Sequence, residues 1–336
     1  MTIKDIARLS GCGVATVSRV LNRHPDVSEE TRRKVMGVVE AQGFQPNGNA
    51  RRLKQRSGGG IAVIVKGSQN MLFADLVERV QRLLRAADRD ASVSYLDEDA
   101  DEVACALQLC RERKPLGLIF LGGDPALLQR EFAPIRIPAL LLTGSAAPLG
   151  FANLSSITTD DEEAAYQVVR FLAEQGHRHI GVLGAQPDSS RVLGCQRACL
   201  ALGLPFHPAL QHEPCRYSMA EAYAAARRLA ARCRELTAIF AVSDVMAVGV
   251  IRALSDLGQR VPWDVSVVGY DGVPLAGYLV PRLTTVRQDT QYMAERGVKV
   301  LLDMIERGGA PVHEVVAFRL VTGESVARLS LPGEGL

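Results

Sequence analysis

Residues 2–22, TIKDIARLSGCGVATVSRVLN, constrain this chain more than any other stretch. With Ile3 as the first position, Ala7 falls at the fifth, where only a small side chain lets two short helices approach. Gly11 falls at the ninth, where the turn between them needs positive φ, which glycine takes without strain. Val17 and Val20 fall at the fifteenth and eighteenth, on the inner face of a second helix. Ile6, Leu9 and Cys12 are expected to complete the small core. Two helices held at a fixed angle form a helix-turn-helix, whose second helix can enter a DNA major groove. The alternative is a generic helix pair of some α-helical domain. One Ala, one Gly and two Val at the required positions weigh against it.

Charge points the same way. Residues 1–57 hold eleven Lys/Arg against five acidic residues, a balance of +6. The remaining 279 residues hold 28 basic against 32 acidic groups, so the whole-chain charge of +2 hides a basic head on an acidic body. That split is the electrostatic footprint of a nucleic-acid-binding module joined to something that is not one.

At 336 residues the chain has room for two or three domains, and 47% hydrophobic content can fill a sizeable core. No run approaches the roughly 18 apolar residues of a membrane span. The chain opens on the helix-turn-helix itself, so no signal peptide is expected ahead of it and a cytoplasmic location is expected. Seven scattered Cys without a Cys-x-x-Cys argue for reduced, mostly buried thiols. Cys195 and Cys199 lie one helical turn apart, but no His stands at a metal-ligand spacing. His177 and His179 in GHRHIG lack a second pair and read as the approach to a strand.

Residues 28–41 predict a third helix, with Ser28 as N-cap, Val35, Val38 and Val39 as its buried stripe, and Gly43 as its stop. Phe44 is expected to pack beneath the three helices. In PNGNARRLKQRSGGG, Asn47, Ala50 and Leu53 line one face of a very short helix, which Gly48 weakens by roughly 1 kcal/mol against Ala. So short a helix is marginal in water, so it should order only on a surface that stabilises it. From Ile61 onward, short apolar strands alternate with amphipathic helices. Strands are predicted at 61–65, 93–96, 117–121, 139–142, 180–183, 238–242 and 265–269. Helices are predicted at 73–87, 99–113, 161–175, 192–202, 218–233, 244–257 and 290–306. This alternation implies two runs of parallel sheet, before and after about residue 157, each covered on both faces. Two such doubly wound lobes leave a cleft at the carboxyl ends of their strands.

Head, hinge and body together resemble the LacI/GalR family of bacterial transcription regulators along essentially the whole chain. The likeness is carried by TIKDIARLSG, ATVSRVLN, VSEETRRKV and GFQPNGNARRLK in the head, and by ITTDDEEAA, GHRHIGVLG, IFAVSDVMAVGVIRAL, VPWDVSVVGYDG and PRLTTVRQD in the body. The opening TIKDIARLSG is most like the trehalose repressor branch. The resemblance implies an α/β protein: a three-helix helix-turn-helix head and hinge, then two doubly wound lobes of the periplasmic sugar-binding-protein type. It implies a head over 1–45, a hinge helix and linker over 46–58, and a core over 59–336. The N-lobe would take about 59–157 plus 290–320, and the C-lobe about 158–289 plus 321–336. A homodimer on a pseudo-palindromic DNA operator follows from the same likeness, as does control by a small sugar-like effector, with no cofactor and no metal.

By that resemblance Val14, Ala15 and Arg19 face bases. Arg19 is the strongest reader, since a guanidinium can bond two acceptors on a guanine edge. Thr2, Thr16, Ser18 and Asn22 would bind phosphates and fix the register. Leu53 matches the leucine that such hinges wedge into the minor groove, with Asn47 and Ala50 beside it. In the body, Arg191 and Asp271 match groups that bind ligand hydroxyls, and Tyr217 an aromatic that stacks on the ligand. Ser243 matches a polar contact, Asn70 and Phe73 stand in the first cleft loop, and Gln288 lies near the mouth. Asp244 is expected to cap the helix that follows it. The first loop, KGSQNMLF, departs from the family's usual Pro-Asp…Ser-Asn-Pro, and the last strand ends TGES without the usual Arg. No heptad tail follows, which favours a dimer over a tetramer. Enzyme signatures such as Gly-x-Gly-x-x-Gly, a Walker loop or a Gly-x-Ser-x-Gly elbow are missing from the body, and no catalysis is expected. The other readings kept open are a regulator answering to a protein partner or a non-sugar metabolite, and an exported transport binding protein, against which the basic head argues.

Overall fold

The computed structural model describes residues 3–21, 26–42, 59–67 and 69–329. The chain divides into two compact units, Met1–Gly59 and Gly60–Leu336.

The first unit holds α1 (Ile3–Ser10), α2 (Val14–Leu21) and α3 (Glu29–Ala41). Its core is Ile6, Ala7, Val17, Val20, Val35 and Val39, with Cys12 and Val38 packed alongside. Gly11 takes φ +62° in the turn, as the motif requires. Leu9 corrects the expected core, since it is 50% exposed. Residues advance by about 100° around a helix. Ile6, Ala7 and Ser10 share the inward face of α1, and Leu9 falls about 100° off its centre. Ser28 caps α3 by accepting the Thr31 N–H at 3.4 Å. The expected roles of Gly43, Phe44 and the hinge fall outside the described residues.

The second unit is built on two six-stranded sheets. The strands are β1 (Ile61–Lys66), β2 (Ala91–Leu96), β3 (Gly117–Leu121), β4 (Ala139–Leu142), β5 (Leu154–Thr159), β6 (Ile180–Leu183), β7 (His212–Glu213), β8 (Ala238–Ala241), β9 (Ser266–Asp271), β10 (Thr284–Gln288), β11 (His313–Val316) and β12 (Phe318–Val321). The helices are α4 (Met71–Ala86), α5 (Glu102–Arg113), α6 (Pro125–Glu131), α7 (Asp161–Glu174), α8 (Ser190–Ala201), α9 (Pro208–Gln211), α10 (Met219–Arg232), α11 (Asp244–Asp256) and α12 (Thr290–Arg307). The first lobe orders its strands β11-β5-β4-β3-β1-β2, and the second β12-β10-β9-β8-β6-β7. All pairs are parallel except β10 with β12, an antiparallel edge the sequence did not foretell.

Both faces of each sheet are covered, which is why the central strands read as unbroken apolar runs. In the first lobe α4 and α12 cover one face and α5 and α6 the other. In the second lobe a continuous core joins sheet and helices through Leu172, Phe240, Leu254 and Tyr270. The chain passes between lobes after β5, after β10 and after β11. All three crossings therefore leave from strands at one end of the sheets, and β2 and β7 lie at the other.

Candidate functional site

In the head, α2 turns Val17 and Val20 into the core and leaves Val14 (43% exposed), Ala15 and Arg19 facing out. Thr16 and Ser18 are half-buried on the flanks. This is the division a groove-reading helix needs, because the side chains that would meet base edges are those the core does not use. Thr2, Asn22, Asn47, Ala50 and Leu53 lie outside the described residues.

The core's constellation assembles around one buried arginine. Arg191 sits in the first turn of α8, whose N-cap is Ser189. A cation there is disfavoured by the helix dipole and needs compensation. It comes from Asp161, whose Oδ2 lies 3.2 Å from Nε, and from the Val242 carbonyl, which accepts from Nη1 at 2.5 Å. The guanidinium also lies 3.8 Å over the Tyr270 ring, and the Tyr270 hydroxyl donates to Asp161 Oδ1 at 2.5 Å. Burial alone would pull the Arg191 guanidinium below its ordinary range, but Asp161 together with Tyr270, Tyr217 and Asp271 outweighs it and holds the group above that range. Asp161 is the first residue of α7, where the helix dipole favours an acid.

Asp271 ends β9 with φ +114° and is 2% exposed. A non-glycine residue held there stores strain of about 1–3 kcal/mol, which persists only where the surroundings over-determine it. Gln288 Nε2 donates to its Oδ1 at 3.0 Å, and Thr159 donates to Gln288 Oε1 at 3.0 Å. The ends of β5, β9 and β10 are thus tied together across the lobes. The other oxygen, Asp271 Oδ2, is buried; the Ser243 hydroxyl lies near enough to the Asp271 carboxylate to favour its charged form, though neither Asp271 Oδ2 nor Ser243 Oγ makes a well-formed hydrogen bond among the described residues. Burial pushes the Asp271 carboxyl up to about 6 against the opposing pull of Arg191. Tyr217 is half-buried, its phenol pushed up to about 12 by burial, within electrostatic reach of Arg191, Asp161 and Asp271.

Asp244 corrects an expectation. It is the first residue of α11, not its cap, and the N-cap Ser243 makes no capping bond. Its carboxylate instead accepts the Val273 N–H at 2.8 Å and the Thr285 hydroxyl at 2.5 Å, bracing the loop after Asp271. Burial, with the charge of Asp271 adding to it, pushes Asp244 up to about 8.

On the first lobe, Asn70 caps α4 by accepting the Leu72 N–H at 2.9 Å, which commits its oxygen to the helix. Phe73 packs half-buried on the first-lobe core. A cavity of about 640 Å³ opens between the lobes, lined by Leu72, Asp75 and Arg79 of α4 and by Asp271, Val273, Tyr278 and Gln288. Of the expected ligand residues it joins only Asp271 and Gln288; Arg191, Tyr217, Ser243, Asn70 and Phe73 do not line it. A groove of about 340 Å³ between α10 and α11 shares no residue with this constellation.

Sequence reasoning missed Asp161, Tyr270 and Thr159. A buried Arg demands a carboxylate, but the partner lies 30 residues away and no spacing announces it. It also missed the ion pair of Lys66 Nζ with Glu102 Oε2 at 2.8 Å, made where β1 and the start of α5 meet. Among the described residues no helix is long and apolar enough to cross a membrane, and no cluster of His, Cys, Asp or Glu could hold a metal.

Residues 2–47 match the profile of bacterial regulatory proteins of the lacI family, and residues 169–326 that of a periplasmic binding protein-like domain. The HTH-type transcriptional regulator MalR of Clostridium butyricum is 34% identical over 97% of this chain and 99% of its own length. A solved structure of a transcriptional regulator CelR–cellobiose complex is 26% identical, with a TM-score of 0.70 over 97% of this chain and 99% of that one. A lac repressor structure bound to ONPG shares the fold at a TM-score of 0.81, with 24% identity over 97% and 99% of the two chains. The outward-facing α2 on a basic head, the two-lobed core that follows it in the sequence and this likeness over 97% of the chain agree: the chain is a DNA-binding transcriptional regulator belonging to the lacI family.

Proposed function

We propose that the chain is a homodimeric repressor acting in the cytoplasm, released from or held on its operator by an uncharged, hydroxyl-rich ligand bound between the lobes. One observation carries the ligand class. Asp271 Oδ2 and Ser243 Oγ are buried side-chain atoms near each other with no well-formed hydrogen bond among the described residues, and Arg191, whose charge acts on Asp271, is already paired with Asp161. A buried carboxylate oxygen without a well-formed donor is costly, so a ligand hydroxyl that donates to Asp271 would be favoured there. Sugar hydroxyls are such donors, and Tyr217 offers a flat apolar face to a sugar ring. A phosphate or carboxylate would instead meet the negative charge of Asp271 beside an arginine already paired with Asp161, so phosphorylated sugars are disfavoured. The cellobiose bound by CelR agrees with this class. The likeness to the trehalose repressor branch rests on the head and leaves the choice of sugar to the cleft.

The operator is proposed as a pseudo-palindrome read by two heads, with Arg19 as base reader, Val14 and Ala15 as apolar contacts, and Thr2, Thr16, Ser18 and Asn22 on phosphates. Asn47, Ala50 and Leu53 form the minor-groove segment of the hinge. Tyr278 and Val280, 84% and 91% exposed, support a second copy covering that side of the second lobe. Titration calorimetry with cellobiose, maltose, trehalose and glucose, each beside its phosphate, tests the reading. Heat is expected from a neutral sugar, lost in Asp271→Asn. Binding confined to phosphates, or silence across the panel, contradicts it.

A further inference from the structure

The loops after β2 and after β7 meet across the cleft. Arg216 of the second lobe places Nη2 at 2.6 Å from Asp97 and 3.0 Å from Asp99 of the first. Its Nε lies 3.8 Å from Glu98, and Glu98 Oε2 accepts the Tyr217 N–H at 3.1 Å. Three consecutive acids thus surround one guanidinium, and the middle one also holds the backbone of Tyr217, which packs on the second-lobe core.

Topology gives this contact its meaning. The three interlobe crossings leave from β5, β10 and β11, at one end of the two sheets, whereas β2 and β7 are the edge strands at the other end. Opening about the crossings displaces the far edges most, so the Arg216 contacts are among the first to break. The partners are largely exposed (Arg216 46%, Asp97 78%, Asp99 79%), so the attraction is screened by salt and weak enough to be reversible.

We propose that Asp97, Glu98, Asp99 and Arg216 form a latch that holds the lobes closed on the side away from the crossings and positions Tyr217 against the ligand. Glu98 and Arg216 are positioning residues: they act on the ligand through Tyr217. Latch closure and ligand occupancy then favour each other, and each shifts the other by the same factor. The action on the ligand through Tyr217 and that last consequence rest on the cleft reading above; the closure of the lobes by the latch does not.

Amide hydrogen exchange on the full-length, ligand-free protein tests it. Arg216→Glu should speed exchange of the Tyr217 amide about tenfold, and Glu98→Gln should speed it by a smaller factor. In the wild type, raising the salt from 0.05 to about 0.5 M should speed it too. Reversing the charges, with Arg216→Glu joined to Asp97→Arg and Asp99→Arg, should restore protection to within about threefold. A merely local structural role for Arg216 would not be rescued in this way. Unchanged exchange in Arg216→Glu, or failure of the reversed set to restore it, overturns the latch. A parallel titration with cellobiose reads the coupling: Arg216→Glu should weaken binding about tenfold. If wild type binds no cellobiose, the ligand assignment falls, while the exchange result still decides the latch.

Discussion

Asp271 concentrates the tension in the core. Its backbone is held at φ +114°, its carboxyl is buried, and one oxygen has no well-formed donor among the described residues. Burial disfavours the ionised form, so the folded state holds this proton more tightly than the unfolded chain between the ordinary value of 3.8 and about 6. Stability from this group therefore falls as pH rises through that window and stays reduced above it. Asp271→Asn, which keeps an oxygen for Gln288, should raise stability by on the order of 2 kcal/mol at pH 7.5 and by little below pH 4, read by denaturant unfolding at both pH values. The same substitution should abolish binding of a neutral sugar. Ligand hydroxyls need the carboxylate as acceptor, so sugar affinity should hold above about pH 6 and be lost as pH falls through it. A flat affinity profile from pH 5 to 8 would remove Asp271 from the site.

Elements obey the same constraint through close packing. α7 and α8 approach so tightly at Gly194 that an added Cβ would lie 2.1 Å from the Glu162 carbonyl oxygen. Gly194→Ala must therefore push α8, which carries Arg191, off α7, which carries Asp161. The expected loss is about 1–3 kcal/mol in thermal or denaturant unfolding, with weakened sugar binding alongside. Wild-type stability in this variant would show that the two helices are not held as described. Most of the central elements were legible in the sequence, because unbroken apolar runs such as GLIFL and ALLL admit few other places. β5 (LSSITT) and β10 (TTVRQ) were not, since their hydroxyls are buried by partners distant in sequence, as Ser155 is beside Met304. The edge strands β7 (HE), β11 (HEVV) and β12 (FRLV) are two to four residues long with charged residues among them, so no unbroken apolar run marks them. At the site, single residues such as Arg191 and Asp271 could be singled out by resemblance. Their partners could not, because Tyr270 reaches Asp161 across 109 residues and only the folded sheet brings them together.

For the molecule as a whole, function divides along the charge split seen in the sequence: a basic head that meets DNA and an acidic two-lobed body that meets the ligand. Removing Arg19 should cost about 1–3 kcal/mol of operator affinity and relax one base position per half-site, whereas removing Thr16 or Ser18 should weaken all sequences about equally. Selection from a random duplex pool at moderate ionic strength, with full-length wild type and Arg19→Ala side by side, decides whether the head reads sequence and whether Arg19 is its reader. Wild type should enrich a pseudo-palindrome, and Arg19→Ala the same sequence degraded at one position in each half. No enrichment by wild type, or an identical site from both proteins, would contradict the account.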